Sequence, residues 1–146
     1  MELQNYLTYR VIILSQMLNR DAAHYAAKNW NMSLPKYRAL AVLGNYPHIS
    51  LRELTDLTQM NKGQISRVVV ELEKDGLLSR TPDQEDGRRL LPALSDKGQK
   101  LFNGSRKRSL LRQQEIMSVL EPEELRAFFA SIDKLAEHMR MRLGER

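Results

Sequence analysis

The chain has 146 residues, of which 23 are Lys or Arg and 18 are Asp or Glu, so its formal net charge is +5. This length predicts one domain that is large enough to bury a core. The absence of cysteine excludes disulfides, thiolate metal sites and thiol-based peroxide sensing. The modest basic surplus suits a polyanionic partner such as nucleic acid, although many basic enzymes share it.

Two helices are predicted before residue 50. Apolar residues three and four apart, such as Leu7, Val11 and Leu14, predict the first helix from about Leu3 to Asn29. Ser33 and Pro35 mark the start of the second. The apolar run at 11–14 lacks the length and the basic flank of a signal peptide, so we expect no membrane association and a cytoplasmic protein.

Two short helices joined by a tight turn are predicted next. Ser50 and Glu53 have the spacing of a capping box, and the inward face of this helix is expected to be Leu51, Leu54 and Leu57. After a turn at 58–61, Asn61 is predicted to cap a second helix that ends before Gly76. Its inward face is expected to be Ile65, Val68, Val69 and Leu72. Such a pair forms a helix-turn-helix.

The outer face of this second helix carries side chains that can read DNA. Successive residues of a helix are 100° apart, so burial of the inward face places Gly63, Arg67, Val70 and Lys74 on the opposite, outward face. Small and polar residues at the start of a helix can contact the edges of bases in a major groove. The alternative is that this face is simply exposed to solvent and happens to carry one arginine. The expected DNA-binding residues here are Asn61, Lys62, Gly63, Gln64, Ser66 and Arg67.

A two-stranded hairpin is predicted to follow, with strands at 77–80 and 90–94 and a turn at 81–89. Pro92 marks an edge strand. Arg88 and Arg89, near the tip, are expected to bind DNA, because a narrow minor groove attracts a guanidinium group; a solvated loop is the alternative. The acidic stretch 83–86 lacks a histidine and a second ligand set, so we expect it to form the turn and to brace Arg80, Arg88 or Arg89 rather than to bind a metal.

Two more helices are predicted at the C-terminal end. The first runs from Asp96 to about Leu120, and its basic side chains are expected to be mainly solvated. The second begins at Glu121-Pro122 and carries Leu125, Phe128, Phe129, Ile132, Leu135, Met139 and Leu143. A winged core cannot cover all these apolar faces. We expect the two ends of the chain to pack against the same ends of a second subunit, the alternative being packing within one chain.

One pair of motifs resembles a known family. Asp86-Gly87-Arg88 and Leu94-Ser95-Asp96-Lys97-Gly98 resemble the D-x-R…L-[TS]-x-x-G signature of the MarR family of bacterial winged-helix transcription regulators, and the similarity extends over essentially the whole chain. The resemblance implies a homodimer on a pseudo-palindromic operator in double-stranded DNA, often a repressor that a small amphipathic or aromatic ligand releases. It also implies that Arg88 enters the minor groove and that Asp86 braces the wing.

These patterns predict a mainly α fold, a winged helix-turn-helix with a two-stranded β-wing and flanking helices that form a dimerisation bundle. Residues 1–146 are expected to form a single domain, with the DNA-binding core at 33–95 and the helical dimerisation region at 1–32 and 96–146. Relatives bind flat ligands where the bundle joins the core. We therefore hypothesise an effector pocket lined by Tyr9, Tyr25, Trp30 and Tyr37.

The predicted function is that of a DNA-binding transcriptional regulator rather than an enzyme. The three histidines are scattered, and no zinc-protease, serine-hydrolase, P-loop or dinucleotide motif is present, so we expect neither a cofactor nor a metal. Two alternatives stay open. A winged helix that binds proteins instead of DNA should have an apolar outer face on the helix at 62–74. An unrecognised enzyme should cluster titratable residues in a closed pocket.

Overall fold

The computed structural model describes residues 2–84 and 86–144. The described elements are a 3₁₀ helix at Leu3–Asn5, α1 (Leu7–Trp30), α2 (Leu34–Asn45), α3 (Leu51–Thr58), α4 (Lys62–Lys74), β1 (Leu78–Pro82), β2 (Leu90–Leu94), α5 (Asp96–Met117) and α6 (Pro122–Leu143). The predicted winged helix-turn-helix with flanking helices is confirmed. Two helix ends differ from the prediction: α1 begins at Leu7, after the separate 3₁₀ turn, and α5 ends at Met117 rather than Leu120.

Reciprocal caps define where the two short helices begin. The Ser50 hydroxyl accepts a hydrogen bond from the Glu53 backbone N–H at 3.2 Å, and the Glu53 carboxylate accepts one from the Ser50 backbone N–H at 2.7 Å. Asn61 and Gln64 form the same arrangement at the start of α4. The helix α4 is followed by Gly76, whose φ of +71° lies in the region that glycine adopts without strain. Both predicted caps and the glycine exit are confirmed.

The core lies among α2, α3 and α4. Leu40, Leu54, Ile65 and Leu72 are fully buried, and the predicted inward face of α4 is buried throughout. Each such side chain contributes roughly 1.5–3 kcal/mol of burial free energy. Phe102, from the start of α5, joins the same cluster.

The predicted inward face of α3 is wrong at one position. Leu57 is 48% exposed, and Thr58 is buried in its place, with its hydroxyl donating to the Leu54 carbonyl at 2.6 Å. The reason is helical geometry: a step of three residues turns 300°, so a strict spacing of three drifts 60° at each step away from the buried face. The four-residue step from Leu54 to Thr58 stays closer to it.

The wing is an antiparallel hairpin in which Leu78 pairs with Leu94 and Pro82 with Leu90. The predicted first strand ended at Arg80, but β1 continues through Thr81 and Pro82. Proline's fixed φ is compatible with an extended backbone, and its missing N–H is tolerated on an edge strand. The residues that form the connecting loop are therefore fewer than the sequence predicted.

The start of α5 is joined to the end of α4. The Ser95 hydroxyl donates to the Gly76 carbonyl at 2.6 Å, and the Ser95 backbone N–H donates to the Leu77 carbonyl at 3.0 Å. A Cβ on Gly98 would lie 2.1 Å from that same Leu77 oxygen. Only glycine therefore fits at this position without displacing the backbone.

The chain divides into two compact units, one ending at Asn103 and the other beginning at Gly104. In each unit one helix keeps large apolar side chains exposed: in α1 these include Leu7, Val11 and Met17, and in α6 they include Phe128, Phe129, Ile132, Leu135 and Met139. Packing within each unit thus leaves these side chains exposed. Over the described residues, no helix combines the length and the apolar character that crossing a membrane requires. The single-domain organisation stays a prediction.

Candidate nucleic-acid interface

The helix α4 presents a fixed N-terminus and an exposed outer face. Only three residues, 59–61, separate it from α3. Gln59 makes this tight turn with a φ of +55°. The outward positions predicted for α4, Gly63, Arg67, Val70 and Lys74, are all exposed, as are Lys62 and Ser66. The predicted face of α4 therefore lies on the protein surface.

Some of the polar side chains on this face are already engaged. Asn61 Oδ1 accepts a hydrogen bond from the Gln64 backbone N–H at 2.8 Å, while Gln64 Oε1 accepts one from the Asn61 backbone N–H at 3.2 Å. The Ser66 hydroxyl donates to the Lys62 carbonyl at 2.9 Å. The sequence analysis identified Asn61 as the cap but missed Gln64 as its reciprocal partner, although their spacing is that of a capping box.

Arg67 is the cation at the centre of the outer face. Its Nε donates to the Gly63 carbonyl at 3.3 Å, one turn earlier in the helix. A Cβ on Gly63 would meet only the Asn61 side chain, at 3.5 Å, which is an ordinary contact. The protein's own packing therefore does not require glycine at position 63.

The tip of the wing is held by hydrogen bonds that centre on Asp86. The Asp86 carboxylate accepts a hydrogen bond from the Arg88 backbone N–H at 3.2 Å, and its carbonyl accepts one from the Arg89 N–H at 2.8 Å. The Asp83 N–H donates to the Arg89 carbonyl at 2.8 Å. The side chains of Arg88 and Arg89 are exposed. Glu85, the remaining acidic residue of this stretch, lies outside the described residues.

The two arginines of the tip have different surroundings. Arg89 lines a polar cleft of about 420 Å³ together with His48, Glu53 and Asp83. Hydrogen bonds from the Ser50 backbone N–H and hydroxyl hold the pKa of Glu53 below its ordinary value of 4.5. The carboxylate is therefore ionised at neutral pH. Arg89 thus lies beside negative charge, whereas Arg88 is not among the residues of this cleft.

Arg80 has a different partner from the one expected. The sequence analysis placed Arg80 among the residues that the wing acids brace. In the structure the Arg80 guanidinium forms an ion pair with Glu73 near the end of α4. The two side chains come from elements that are adjacent in the chain but separated by a turn, so their spacing of seven residues gave no periodic signal.

The four aromatic residues of the predicted effector pocket have different surroundings. The rings of Tyr25 and Tyr37 meet edge to face, with centroids 5.8 Å apart. Trp30 packs against the core, and Tyr9 is 38% exposed on α1. Tyr37 alone of the four lines a cavity of about 580 Å³, whose lining is Ser15, Asn19, Tyr37, Arg38, Ala41, Val42, Leu57, Thr58 and Gln59.

The polar residues of this cavity were missed by the sequence analysis. The Arg38 guanidinium donates to the Asn19 side-chain oxygen, which joins α2 to α1. Arg38 follows Tyr37 directly, but no sequence pattern distinguishes it from a surface arginine. Elsewhere in the described ranges, no group of three His, Cys, Asp or Glu side chains is placed so that it could hold a metal ion.

Comparisons with known proteins agree on one family. The MarR family model matches residues 30–89, which include α2, α3, α4 and the wing up to its arginines. The chain is 24% identical over 106 residues to the uncharacterised HTH-type transcriptional regulator YfiV of Bacillus subtilis. That alignment covers 73% of this chain and 66% of YfiV, so the chain spans slightly less than two thirds of this relative.

Solved structures share the fold over nearly the whole chain. A MarR/EmrR family regulator from Acinetobacter sp. ADP1 matches with a TM-score of 0.88 at 19% identity, covering 97% of this chain and 99% of that one. The S. aureus MepR–DNA complex matches with a TM-score of 0.80 at 18% identity, covering 94% of this chain and 99% of that one. PcaV from Streptomyces coelicolor, solved in complex with its natural ligand, matches with a TM-score of 0.74 at 24% identity, covering 94% of this chain and 96% of that one.

The sequence match covers the helix-turn-helix and most of the wing, and the shared fold extends through the flanking helices. The family-model match, the curated relatives and the solved structures together support the MarR family of winged-helix transcriptional regulators for this chain.

Proposed function

We propose that this protein is a sequence-specific DNA-binding transcriptional regulator that binds a pseudo-palindromic operator as a homodimer. The observation that carries the proposal is the exposed outer face of α4, with Arg67 at its centre and Lys62 at its capped start. A recognition helix uses such N-terminal residues on base edges in the major groove. Because Gly63 is not required by internal packing, its lack of a side chain favours close approach by an external partner.

The wing is proposed to supply the second contact. Asp86 holds the backbone of the tip, so the exposed Arg88 projects from a fixed loop. A guanidinium in this position suits a narrow minor groove beside the site of α4. Arg89 is the weaker candidate for a DNA contact, since it borders a cleft that contains two carboxylates.

The homodimer is proposed to form through the helices at the two ends of the chain. Phe129 is 49% exposed and Met139 48% exposed on α6, and Leu7 and Val11 are each 54% exposed on α1. Large apolar surfaces of this kind are uncommon on monomers and are typical of interfaces. A two-fold contact also sets two recognition helices at a fixed separation.

The finer regulatory role is proposed as repression that a small amphipathic or aromatic ligand relieves. The support is the cavity beside Tyr37, where Arg38 offers a cation and Val42 and Leu57 offer apolar surface. PcaV, which has the same fold, was solved with its natural ligand. Since the proposed partner is DNA, the proposed place of action is the cytoplasm.

The proposal is tested by selecting duplexes from a random pool with the purified protein, followed by footprinting of the selected sequence. We expect two protected half-sites about 10 bp apart, or a multiple of that spacing, and sedimentation at twice the 17.0 kDa chain. Arg67→Ala should cost roughly 1–3 kcal/mol of binding free energy. If no sequence is enriched, DNA recognition is refuted, and a protein-binding winged helix becomes the better explanation.

A further inference from the structure

The C-terminal end of α4 carries an unusual concentration of negative charge for a helix that faces DNA. Glu71, Glu73 and Asp75 lie in or just after its last turn. The helix dipole also places partial negative charge there. Like charges at this end repel one another and repel a phosphate backbone, and within its last turn the helix itself supplies one cation, Lys74.

Three cations from three different elements meet this end of α4. Lys36 of α2 forms an ion pair with Asp75, and its Nζ lies 3.9 Å from the Glu71 carboxylate. Lys97 of α5 donates from Nζ to the Asp75 carbonyl at 2.8 Å. The Arg80–Glu73 ion pair connects β1 to the same region. The end of the recognition helix is thereby fixed to α2, to α5 and to the wing.

Lys36 is less accessible than Arg80, the other cation that forms an ion pair at this end of α4. Its side chain is 17% exposed, against 35% for Arg80. A cation so covered is not available to a phosphate while it binds Asp75. The Asp75 side chain is 46% exposed, so the contribution of this pair is expected to lie in the position of α4 rather than in a large stabilisation of the fold.

We propose that Lys36 is a positioning residue for DNA recognition. By holding Asp75 and Glu71, it fixes the far end of α4 relative to α2, and this sets the angle at which Arg67 and its neighbours enter the groove. The proposal rests on the DNA-binding function proposed above. It differs from a phosphate contact in one respect: Lys36 affects discrimination between sequences and not the general attraction to DNA.

The test compares Lys36→Met with Lys36→Arg in the full-length protein. Methionine keeps the apolar stem and removes the charge, whereas arginine retains a cation for Asp75. The probes are the duplex that the parent protein selects from a random pool and poly(dI-dC). For Lys36→Met we expect the ratio of the two affinities to fall by about 3-fold to 30-fold, which is the range for a coupled positioning contact. Binding to poly(dI-dC) and its salt dependence should be unchanged, and Lys36→Arg should restore most of the ratio.

Lys28→Met is the matched control, because Lys28 carries the same charge and is exposed in the last turn of α1. It should weaken both duplexes equally or neither, leaving their ratio unchanged. Asp75→Asn should reproduce most of the effect of Lys36→Met, and the double variant should be no worse than Lys36→Met alone, since both changes remove the Lys36–Asp75 interaction. Lys97 is unaffected by this change because it binds the backbone of Asp75.

The proposal is overturned if Lys36→Met keeps the parent ratio, or if it lowers both affinities and makes the salt dependence shallower, as loss of a phosphate contact does. Amide hydrogen exchange gives a readout without DNA. Lys36→Met should accelerate exchange at residues 72–77, and exchange equal to that of the parent refutes the positioning role. A parent protein that enriches no duplex refutes the DNA-binding function instead, so the two failures are distinguishable.

Discussion

Gly98 offers the most direct test of the packing between the end of α4 and the start of α5. In Gly98→Ala the new Cβ starts 2.1 Å from the Leu77 carbonyl oxygen, whereas an ordinary contact needs 3.4 Å or more. Both atoms belong to backbone or are fixed to it, so no side-chain rotation relieves the clash. The two segments must separate, and the hydrogen bond from the Ser95 N–H to the same oxygen, now 3.0 Å, is weakened or lost.

The expected cost combines three terms. Overpacking against backbone costs about 3 kcal/mol, the upper part of the usual range. A weakened hydrogen bond adds about 1 kcal/mol. Alanine has a higher helix propensity than glycine, and this stabilises the variant by about 1 kcal/mol. The net destabilisation is therefore about 3 kcal/mol, which for a chain of this size lowers the Tm by roughly 6–12 °C.

Gly104 is the matched control, because it lies in the same helix and a Cβ there meets nothing within 4 Å. Gly104→Ala should therefore stabilise the protein by about 1 kcal/mol through helix propensity alone. Urea unfolding followed by far-UV circular dichroism, at one fixed protein concentration, measures both variants. If Gly98→Ala and Gly104→Ala agree within about 1 kcal/mol, the close approach of Gly98 to Leu77 is refuted.

Three further outcomes are expected. Arg88→Ala should weaken binding to every duplex, and for the two wings of a dimer it should make the plot of log affinity against log salt shallower by about 1–2 units. If fluorescence anisotropy gives an unchanged slope, Arg88 does not contact DNA. Asp86→Ala should lower affinity less and leave that slope unchanged, because its carboxylate holds the Arg88 backbone and adds no positive charge. Glu53→Gln should lower the Tm at neutral pH but not in acid: the depressed pKa of Glu53 stabilises the fold above pH 4.5, and this contribution is lost as the pH falls through the lower folded value. Parallel Tm curves for the two proteins from neutral to acidic pH would contradict the role of this cap.

Local patterns predicted the helix-turn-helix closely because each of its features depends on residues near one another in the chain. The cap at Ser50 and the cap at Asn61 each involve a partner three residues away. The buried face of α4 follows from a periodicity of 3.6 residues. Leu57 was misassigned because three leucines at a spacing of three look periodic, although the helix turns away from that line within two steps.

Contacts between distant segments could not be predicted in the same way. Lys36 and Asp75 are 39 residues apart, and no pattern in either segment indicates that they meet. The cavity beside Tyr37 likewise depends on α1, α2 and α3 packing together, so its polar residues Asn19 and Arg38 had no distinguishing signal. The aromatic residues of the predicted effector pocket also differ in their surroundings, since Trp30 packs against the core and Tyr9 lies at the surface of α1.

The second motif of the family resemblance can be understood as the root of the wing. Leu94 pairs with Leu78 at the base of the hairpin, and Ser95 binds the carbonyl of Gly76. The remaining positions continue the same junction: Lys97 binds the carbonyl of Asp75, and Gly98 lies against the carbonyl of Leu77. Residues 94–98 thus bind the four consecutive residues that follow the recognition helix, 75–78. In these contacts the Ser95 hydroxyl and the Lys97 Nζ both donate to backbone carbonyls. The motif therefore specifies how the wing is attached to α4, whereas the proposed contacts with base edges lie on the exposed face of the helix itself.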